Sequence, residues 1–237
     1  MFIDPLYLAF IAPALLLSLW ASWKTRRAFK KYSRVHSLSG LTGAQAAKTL
    51  LERAGITDVE IVPTRGVLSD HYNPVGKKLA LSEGVYGSPS IAAIGVACHE
   101  AGHALQHAQD YKPMWLRSAL VPTANIGSKL GYLVMMVGLF LVYAGNRGMG
   151  ANVVLFGALL FSAVLLFQIV TLPVEFDASK RAKTLAVEYG VVAAQERAGM
   201  DAVLNAAALT YVAAVVSTLM TLLYFLVRSG LLGGRRN

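Results

Sequence analysis

Four long apolar stretches constrain the fold of this chain more than any other feature of its sequence. They cover residues 6–23, 118–143, 151–172 and 203–227, and each is close to the ~20 residues that a helix needs to cross a bilayer. Only 15% of the residues are charged, against about 25% in soluble domains. We therefore predict a mainly α-helical integral membrane protein with about four transmembrane helices.

The distribution of charge predicts how the chain is oriented. The net charge is +9, and six Lys and Arg residues follow the first apolar stretch directly, within residues 24–34. By the positive-inside rule, the N-terminus lies outside the cell and the residues after 23 lie in the cytoplasm. A basic run in this place is attracted to anionic lipid headgroups, so we expect no nucleic-acid partner. The tail with Arg228, Arg235 and Arg236 would then lie outside, against the rule.

A polar insert separates the first two apolar stretches and has the charge pattern of a folded domain. Its predicted elements are an amphipathic helix at 43–55, short strands at 59–62 and 78–82, and a helix at 89–108. Gly55 is a typical residue for the C-terminal end of the first of these helices. The insert is therefore predicted to be a small α+β domain in the cytoplasm.

These elements divide the chain into five predicted parts of a multi-pass protein of the cell membrane. The parts are a transmembrane anchor (1–23), a cytoplasmic domain (24–117), a transmembrane hairpin (118–172), a cytoplasmic helix (173–202) and a C-terminal transmembrane helix with its tail (203–237). Proline is common in the first turn of a helix, so we expect a new helix to begin at Pro173, after the third span.

The helix predicted at residues 89–108 contains an HExxH motif, His99-Glu100-Ala101-Gly102-His103. Residues four apart share one helix face, so both imidazoles can bind one Zn²⁺ ion. Glu100 is rotated by about 100° from His99 and can take a proton from a metal-bound water that attacks an amide. Apolar flanks would bury this face, and buried histidines without a metal would carry an uncompensated desolvation cost. We therefore predict His99 and His103 as metal ligands and Glu100 as the catalytic base.

A catalytic zinc needs a third protein ligand. His107 lies about 12 Å from His99 along the helix axis, at 1.5 Å per residue, so we expect it to support the site without binding the ion. His71, in a predicted turn, is either a substrate or metal contact or an ordinary loop histidine. Glu175 follows the third span on the same side of the membrane as the motif. Its position fits equally a metal ligand and a carboxylate that complements a helix dipole.

Several segments of the chain resemble the YugP-type neutral zinc metallopeptidases, which are integral membrane gluzincins. The matching segments are the first span with its basic exit and residues 68–74, 81–86, 97–108 and 172–179. They cover most of the chain in the order found in that family. The resemblance implies one zinc ion bound by His99, His103 and Glu175, with Glu100 as the catalytic base. It also implies a zincin-like domain in which an edge strand above the metal pairs with an extended peptide, and residues 78–82 are our candidate for that edge.

One departure concerns the residues that support the metal ligands. The more distant HtpX-type membrane peptidases usually carry an Asp four residues after the ligand Glu, near a zinc histidine. This chain has Ser179 there, and its nearby acid, Asp177, either takes over that role or faces water. Tyr211, at the start of the last span, is either a donor to an oxyanion or an aromatic anchor at the membrane interface.

The sequence therefore predicts a zinc-dependent endopeptidase that hydrolyses peptide bonds at the cytoplasmic membrane surface. Its substrates would be unfolded or membrane-tethered polypeptides, because the site opens near lipid. The alternative is a binding or accessory module with a structural zinc, which would need a fourth protein ligand such as His107 or His71. The presence of Glu100 argues against it, because a structural zinc needs no general base.

Two further classes fit the sequence less well. A thiol protease would pair Cys98 with His99, but adjacent helical residues point about 100° apart and do not face each other. A transporter or channel accessory would carry ionisable residues within its spans, and only Lys129 qualifies.

Overall fold

The structure, a computed structural model, describes residues 4–66 and 69–232. Its helices are α1 (Pro5–Tyr32), α2 (Gly43–Arg53), α3 (Glu83–Tyr86), α4 (Ile91–Ala108), α5 (Lys112–Ile126), α6 (Tyr132–Tyr143), α7 (Arg147–Glu188) and α8 (Arg197–Arg228). A π-helical turn, Gly127–Gly131, joins α5 to α6, and a 3-10 turn, Ala194–Glu196, precedes α8. The strands are β1 (Glu60–Thr64), β2 (His71–Asn73) and β3 (Lys78–Ser82). Residue 68 of the segment 68–74, and Arg235 and Arg236 of the tail, lie outside the described residues.

Four helical segments are long and apolar enough to cross a membrane. They are Pro5–Tyr32, Lys112–Tyr143, Arg147–Glu188 and Ala194–Arg228. Each contains one of the four predicted spans, and each window of highest hydropathy is mostly unburied within the chain. Large apolar side chains such as Leu16, Phe140 and Leu159 are exposed on these helices. The prediction of a mainly α-helical chain is confirmed.

Helix α7 continues through Pro173 without interruption, so the prediction that a new helix begins there is wrong. A proline removes one N–H group from the helical hydrogen-bond ladder, but its fixed φ is already helical. The residues that follow it belong to a face that is fully buried at Val174 and Ala178. Burial of that face favours continuation of the helix and outweighs the loss of one hydrogen bond.

The described residues form two compact units, each with its own apolar core. One unit consists of Ala21–Met114 and Pro173–Thr210 and contains the HExxH motif and Glu175. Its core includes Leu50, Leu81 and Ile94. The other unit consists of the described parts of Met1–Trp20, Trp115–Leu172 and Tyr211–Asn237. Its core includes Met135, Val154 and Phe225.

The small sheet has the strand order β1-β3-β2. Strand β1 is parallel to β3, with Glu60 opposite Lys78, and β2 is antiparallel to β3, with His71 opposite Ala80. Lys78–Ser82 is therefore the central strand, and the prediction that it forms the edge is wrong. Its last four residues are buried, whereas no residue of β1 or β2 is, as is typical of a strand covered on both faces. The other predicted strand, 59–62, is observed at Glu60–Thr64.

Local capping explains where the two predicted helices of this unit begin and end. Helix α4 begins at Ile91, two residues later than predicted, because the Ser90 hydroxyl accepts a hydrogen bond from the backbone N–H of Ala93 at 3.2 Å. Helix α2 ends at Arg53, and Gly55 follows with φ +78°. This is the left-handed conformation expected of a glycine just beyond a helix. Helix α4 is the most buried helix of the unit and carries the motif.

Candidate metal centre

The two histidines of the motif lie one turn apart on α4 and face the same direction. Their ring centroids are 4.8 Å apart and the rings are nearly perpendicular, at 81°. The side chain of His99 is 14% exposed and that of His103 is 8% exposed. The spacing of the motif on a helix thus brings the two imidazoles together, as the sequence predicts.

Glu175, from α7, completes a group of three potential ligands with His99 and His103. One carboxylate oxygen, Oε2, lies 3.2 Å from Nε2 of His99 and 3.6 Å from Nε2 of His103. One ligand atom from each residue lies within 4.8 Å of the other two. Donor atoms bound to one tetrahedral zinc, each ~2.0–2.2 Å from it, are about 3.3–3.6 Å apart. The His₂Glu donor set and the two distances from Glu175 therefore fit a zinc ion.

The electrostatics of this group are those of a carboxylate that meets two imidazoles. Burial by itself raises the pKa of the Glu175 carboxyl, but the nearby imidazoles of His103 and His99 outweigh burial, and the pKa lies well below its usual range. Burial lowers the pKa of His103, but Glu175 and the charge of Glu100 outweigh that effect and raise it. The buried Glu175 carboxylate therefore stays negatively charged beside the two imidazoles.

The other ring nitrogen of each histidine also has a hydrogen-bond partner. Nδ1 of His99 lies 3.1 Å from the hydroxyl of Ser179, and Nδ1 of His103 lies 3.0 Å from Oε1 of Gln106. Partners of this kind orient the rings of metal-binding histidines. Both Nε2 atoms are thereby turned toward Glu175.

Gln106 is a fully buried residue of the site that the sequence analysis does not predict. Its amide nitrogen donates hydrogen bonds to the backbone carbonyl of Val174 at 2.8 Å and to Oδ2 of Asp177 at 2.9 Å. Asp177 also accepts a hydrogen bond from Arg181 at 2.5 Å. Asp177 thus reaches the site through Gln106, and not by direct contact with a histidine. A polar residue three positions after His103, within a nearly continuous apolar run, was the available sequence signal.

Gly102, within the motif, allows the backbones of α4 and α7 to approach closely. A Cβ atom at this position would lie 2.5 Å from the carbonyl oxygen of Ala178. Any larger residue would push the two helices apart, and with them Glu175 from the histidines. The glycine is therefore explained by packing at the site.

Glu100, the predicted base, is buried, with 8% of its surface exposed. It lies on α4 next to His99, and its negative charge acts on His103. The structure thus keeps the carboxylate of the motif near the two imidazoles in a largely desolvated setting. Its assignment as the base stays a prediction.

The remaining candidates lie outside the group of three. Nδ1 of His107 is 2.8 Å from the hydroxyl of Tyr72 on β2. The exposed His71 forms a hydrogen bond through Nδ1 with the backbone carbonyl of Ser69. Neither belongs to the cluster of potential metal ligands found among the described residues. Tyr211 lies on α8, in the portion assigned to the other compact unit, and its role stays a prediction.

Cys98 is completely buried. Burial raises the pKa of its thiol to about 12. A thiol with such a pKa carries almost no thiolate at neutral pH. This observation argues against a cysteine nucleophile.

The chain is similar to known proteins over nearly its whole length. A family model described as "Putative neutral zinc metallopeptidase" matches residues 7–230. The chain is also 44% identical over 222 residues to a protein of Bacillus subtilis (strain 168) named "Putative membrane protease YugP". That alignment covers 94% of this chain and 96% of the Bacillus protein. No solved structure matches the chain.

Proposed function

This chain belongs to the family described as putative neutral zinc metallopeptidases, and we propose that it is a zinc-dependent endopeptidase. One observation carries this proposal: Glu175 of α7 meets both histidines of the HExxH motif at 3.2 and 3.6 Å. Two imidazoles and one carboxylate are the donor set of catalytic zinc sites that keep one position open for water or substrate. Among the described residues, no fourth His, Cys, Asp or Glu joins the cluster.

The proposed mechanism assigns one role to each residue of the site. His99, His103 and Glu175 would hold a single zinc ion, which when bound would supply a Lewis acid for a water and for the scissile carbonyl. Glu100 accepts the proton of the attacking water and then transfers it to the leaving amine. Gln106 orients the ring of His103 and Ser179 orients the ring of His99, each through a hydrogen bond with Nδ1 of that histidine.

We further propose that the protein spans the cell membrane four times, with the site at the cytoplasmic face. The basic residues within 24–34 support this orientation. The ends of three helices within one compact unit also support it: Arg228 on α8 pairs with Asp4 at 3.0 Å and with the hydroxyl of Tyr143 at 2.6 Å. Four spans with an outer N-terminus would put these three helix ends on the outer side, so their contact agrees with the proposed topology.

The substrate class follows from this placement. An active site at the membrane surface would act on peptide bonds in extended, unfolded or membrane-associated polypeptides. Lipid and a polypeptide substrate are therefore the proposed partners. The basic residues within 24–34 are assigned to anionic headgroups, not to nucleic acid.

The Glu100→Gln variant tests the proposed function. We expect it to keep its zinc and to lose at least about 10²-fold in the rate of peptide cleavage, because only the general base is removed. Glu52→Gln, which changes a carboxylate that is 54% exposed on α2, serves as the control and should cleave at the parent rate. Equal rates for the parent and Glu100→Gln would refute the mechanism. A parent protein that binds no zinc would refute the proposed function.

A further inference from the structure

Gln106 lies between the two helices that carry the predicted metal ligands. Its Oε1 atom is 3.0 Å from Nδ1 of His103, and its Nε2 atom is 2.8 Å from the carbonyl oxygen of Val174 and 2.9 Å from Oδ2 of Asp177. The side chain is fully buried. All of its hydrogen bonds are therefore made inside the protein, where leaving one unmade is costly.

The partners of the Gln106 amide determine which way the amide points. The carbonyl of Val174 can only accept a hydrogen bond, and the Asp177 carboxylate, paired with Arg181 at 2.5 Å, also accepts. Both must face the NH₂ group, so the amide oxygen must face His103. A flipped amide would place its oxygen against two acceptors and leave the NH₂ group against the ring.

An amide oxygen opposite Nδ1 requires that this nitrogen carry the proton. A neutral imidazole has one N–H donor and one acceptor nitrogen. When Nδ1 of a neutral His103 ring donates to Gln106, the lone pair is on Nε2, which is then the nitrogen able to bind a metal ion. Nε2 is the atom that lies 3.6 Å from the carboxylate of Glu175.

We propose that Gln106 is a positioning residue that fixes His103 in the tautomer able to bind zinc, and that Val174 and Asp177 fix Gln106. This inference rests on the proposed function, since it concerns a ligand of the proposed zinc ion. His103 thus differs from His99, whose Nδ1 meets the hydroxyl of Ser179. A hydroxyl can donate or accept, so Ser179 does not select a tautomer.

The tautomer of His103 can be measured in the metal-free Glu175→Ala variant, in which the Glu175 carboxylate no longer competes for the ring proton. With ¹⁵N-labelled histidine, at a pH where the rings are neutral, NMR distinguishes a protonated Nδ1 from a protonated Nε2. We expect the proton on Nδ1 of His103 in Glu175→Ala and its loss from that position when Gln106→Met is added. A proton on Nε2 in Glu175→Ala would overturn the proposal.

Zinc affinity, measured by competition with a chromophoric chelator, provides the second test. We expect Gln106→Met and Gln106→Glu to bind zinc about 10–100-fold more weakly, the usual effect of losing a residue that orients a metal ligand. Gln106→Glu is expected to bind zinc weakly because it places a carboxylate oxygen, which cannot donate a hydrogen bond, against the carbonyl of Val174 and the carboxylate of Asp177. Gln195→Met, which changes an exposed glutamine of the same unit, should bind as the parent does.

The outcomes separate this proposal from the proposed function. A parent that neither binds zinc nor cleaves peptides would refute the function itself. If the parent binds zinc and cleaves peptides, and Gln106→Met and Gln106→Glu bind zinc with the same affinity as the parent, only the role of Gln106 is refuted.

Discussion

Nε2 of His99 lies 3.2 Å from Oε2 of Glu175, although the two residues are 76 positions apart in the sequence. The Glu175 side chain is only 2% exposed, so the carboxylate contacts the two imidazoles instead of water. A buried carboxylate is stable in such a place only when it is paired or binds a metal. This contact between α4 and α7 is the structural basis for assigning a metal centre to the chain.

The Glu175→Ala variant should lose its zinc. The substitution removes one of three predicted ligands and leaves two imidazoles, which cannot hold a catalytic zinc as firmly. We expect the purified variant to contain almost no zinc by elemental analysis, with no measurable peptide cleavage. Glu188→Ala, at the end of the same helix, should retain the metal content of the parent. A stoichiometric ion in Glu175→Ala would exclude this residue as a ligand.

The Gly102→Ala variant should disturb the site without changing any ligand. Its Cβ would lie 2.5 Å from the carbonyl of Ala178, and such overpacking typically costs about 1–3 kcal/mol. We expect a lower midpoint of thermal unfolding and weaker zinc binding. Gly95→Ala is the matched control, because its Cβ would meet only the Met200 side chain at 3.4 Å. If Gly102→Ala and Gly95→Ala both had the thermal midpoint and the zinc affinity of the parent, the close approach of α4 and α7 would be incorrect.

Much of this site follows from local pattern alone. The i, i+4 spacing predicts that His99 and His103 face one ion, because the geometry of one helix fixes it. Glu175 could not be identified as a metal ligand from its position alone. Its contact with α4 depends on tertiary packing, which the local periodicity of the sequence does not predict. The resemblance to a known family supplied it. Gln106 was missed because a single glutamine in a helix has no periodic signature.

The errors in the predicted fold have a similar cause. The prediction that β3 forms the edge follows the family resemblance, although Leu79, Ala80 and Leu81 form the continuous apolar run that is typical of a central strand. Strand order depends on β1 and β2, which lie on either side, and not on β3 itself. Local propensity predicts a helix start at Pro173, because it does not include the packing of α7 before and after this residue.

Cys98 should be chemically inert in the folded protein. Its thiol is fully buried, and burial raises its pKa above the ordinary value of 9.0 to about 12, so the unreactive thiol form dominates at every pH below that value. We expect no labelling by iodoacetamide at neutral pH and near-parent cleavage by Cys98→Ala. Rapid labelling of the native protein, or loss of cleavage with retained zinc in Cys98→Ala, would contradict this account.

Single cysteines placed in a Cys98→Ala background test the proposed orientation, because Cys98 is the only cysteine of the chain. Asn146→Cys, between α6 and α7, should react with a membrane-impermeant thiol reagent in intact cells. Val75→Cys, at a side chain that is 96% exposed between β2 and β3, should react only after the cells are opened. The reverse pattern would place the metal centre outside the cell.

Anomalous scattering from crystals of the purified protein, measured on both sides of the zinc absorption edge, tests the central claim most directly. We predict one zinc peak about 2.0–2.2 Å from Nε2 of His99, Nε2 of His103 and a carboxylate oxygen of Glu175, with no fourth protein ligand. A zinc ion bound elsewhere, or one enclosed by four protein side chains at this place, would contradict the assignment of a catalytic metal centre.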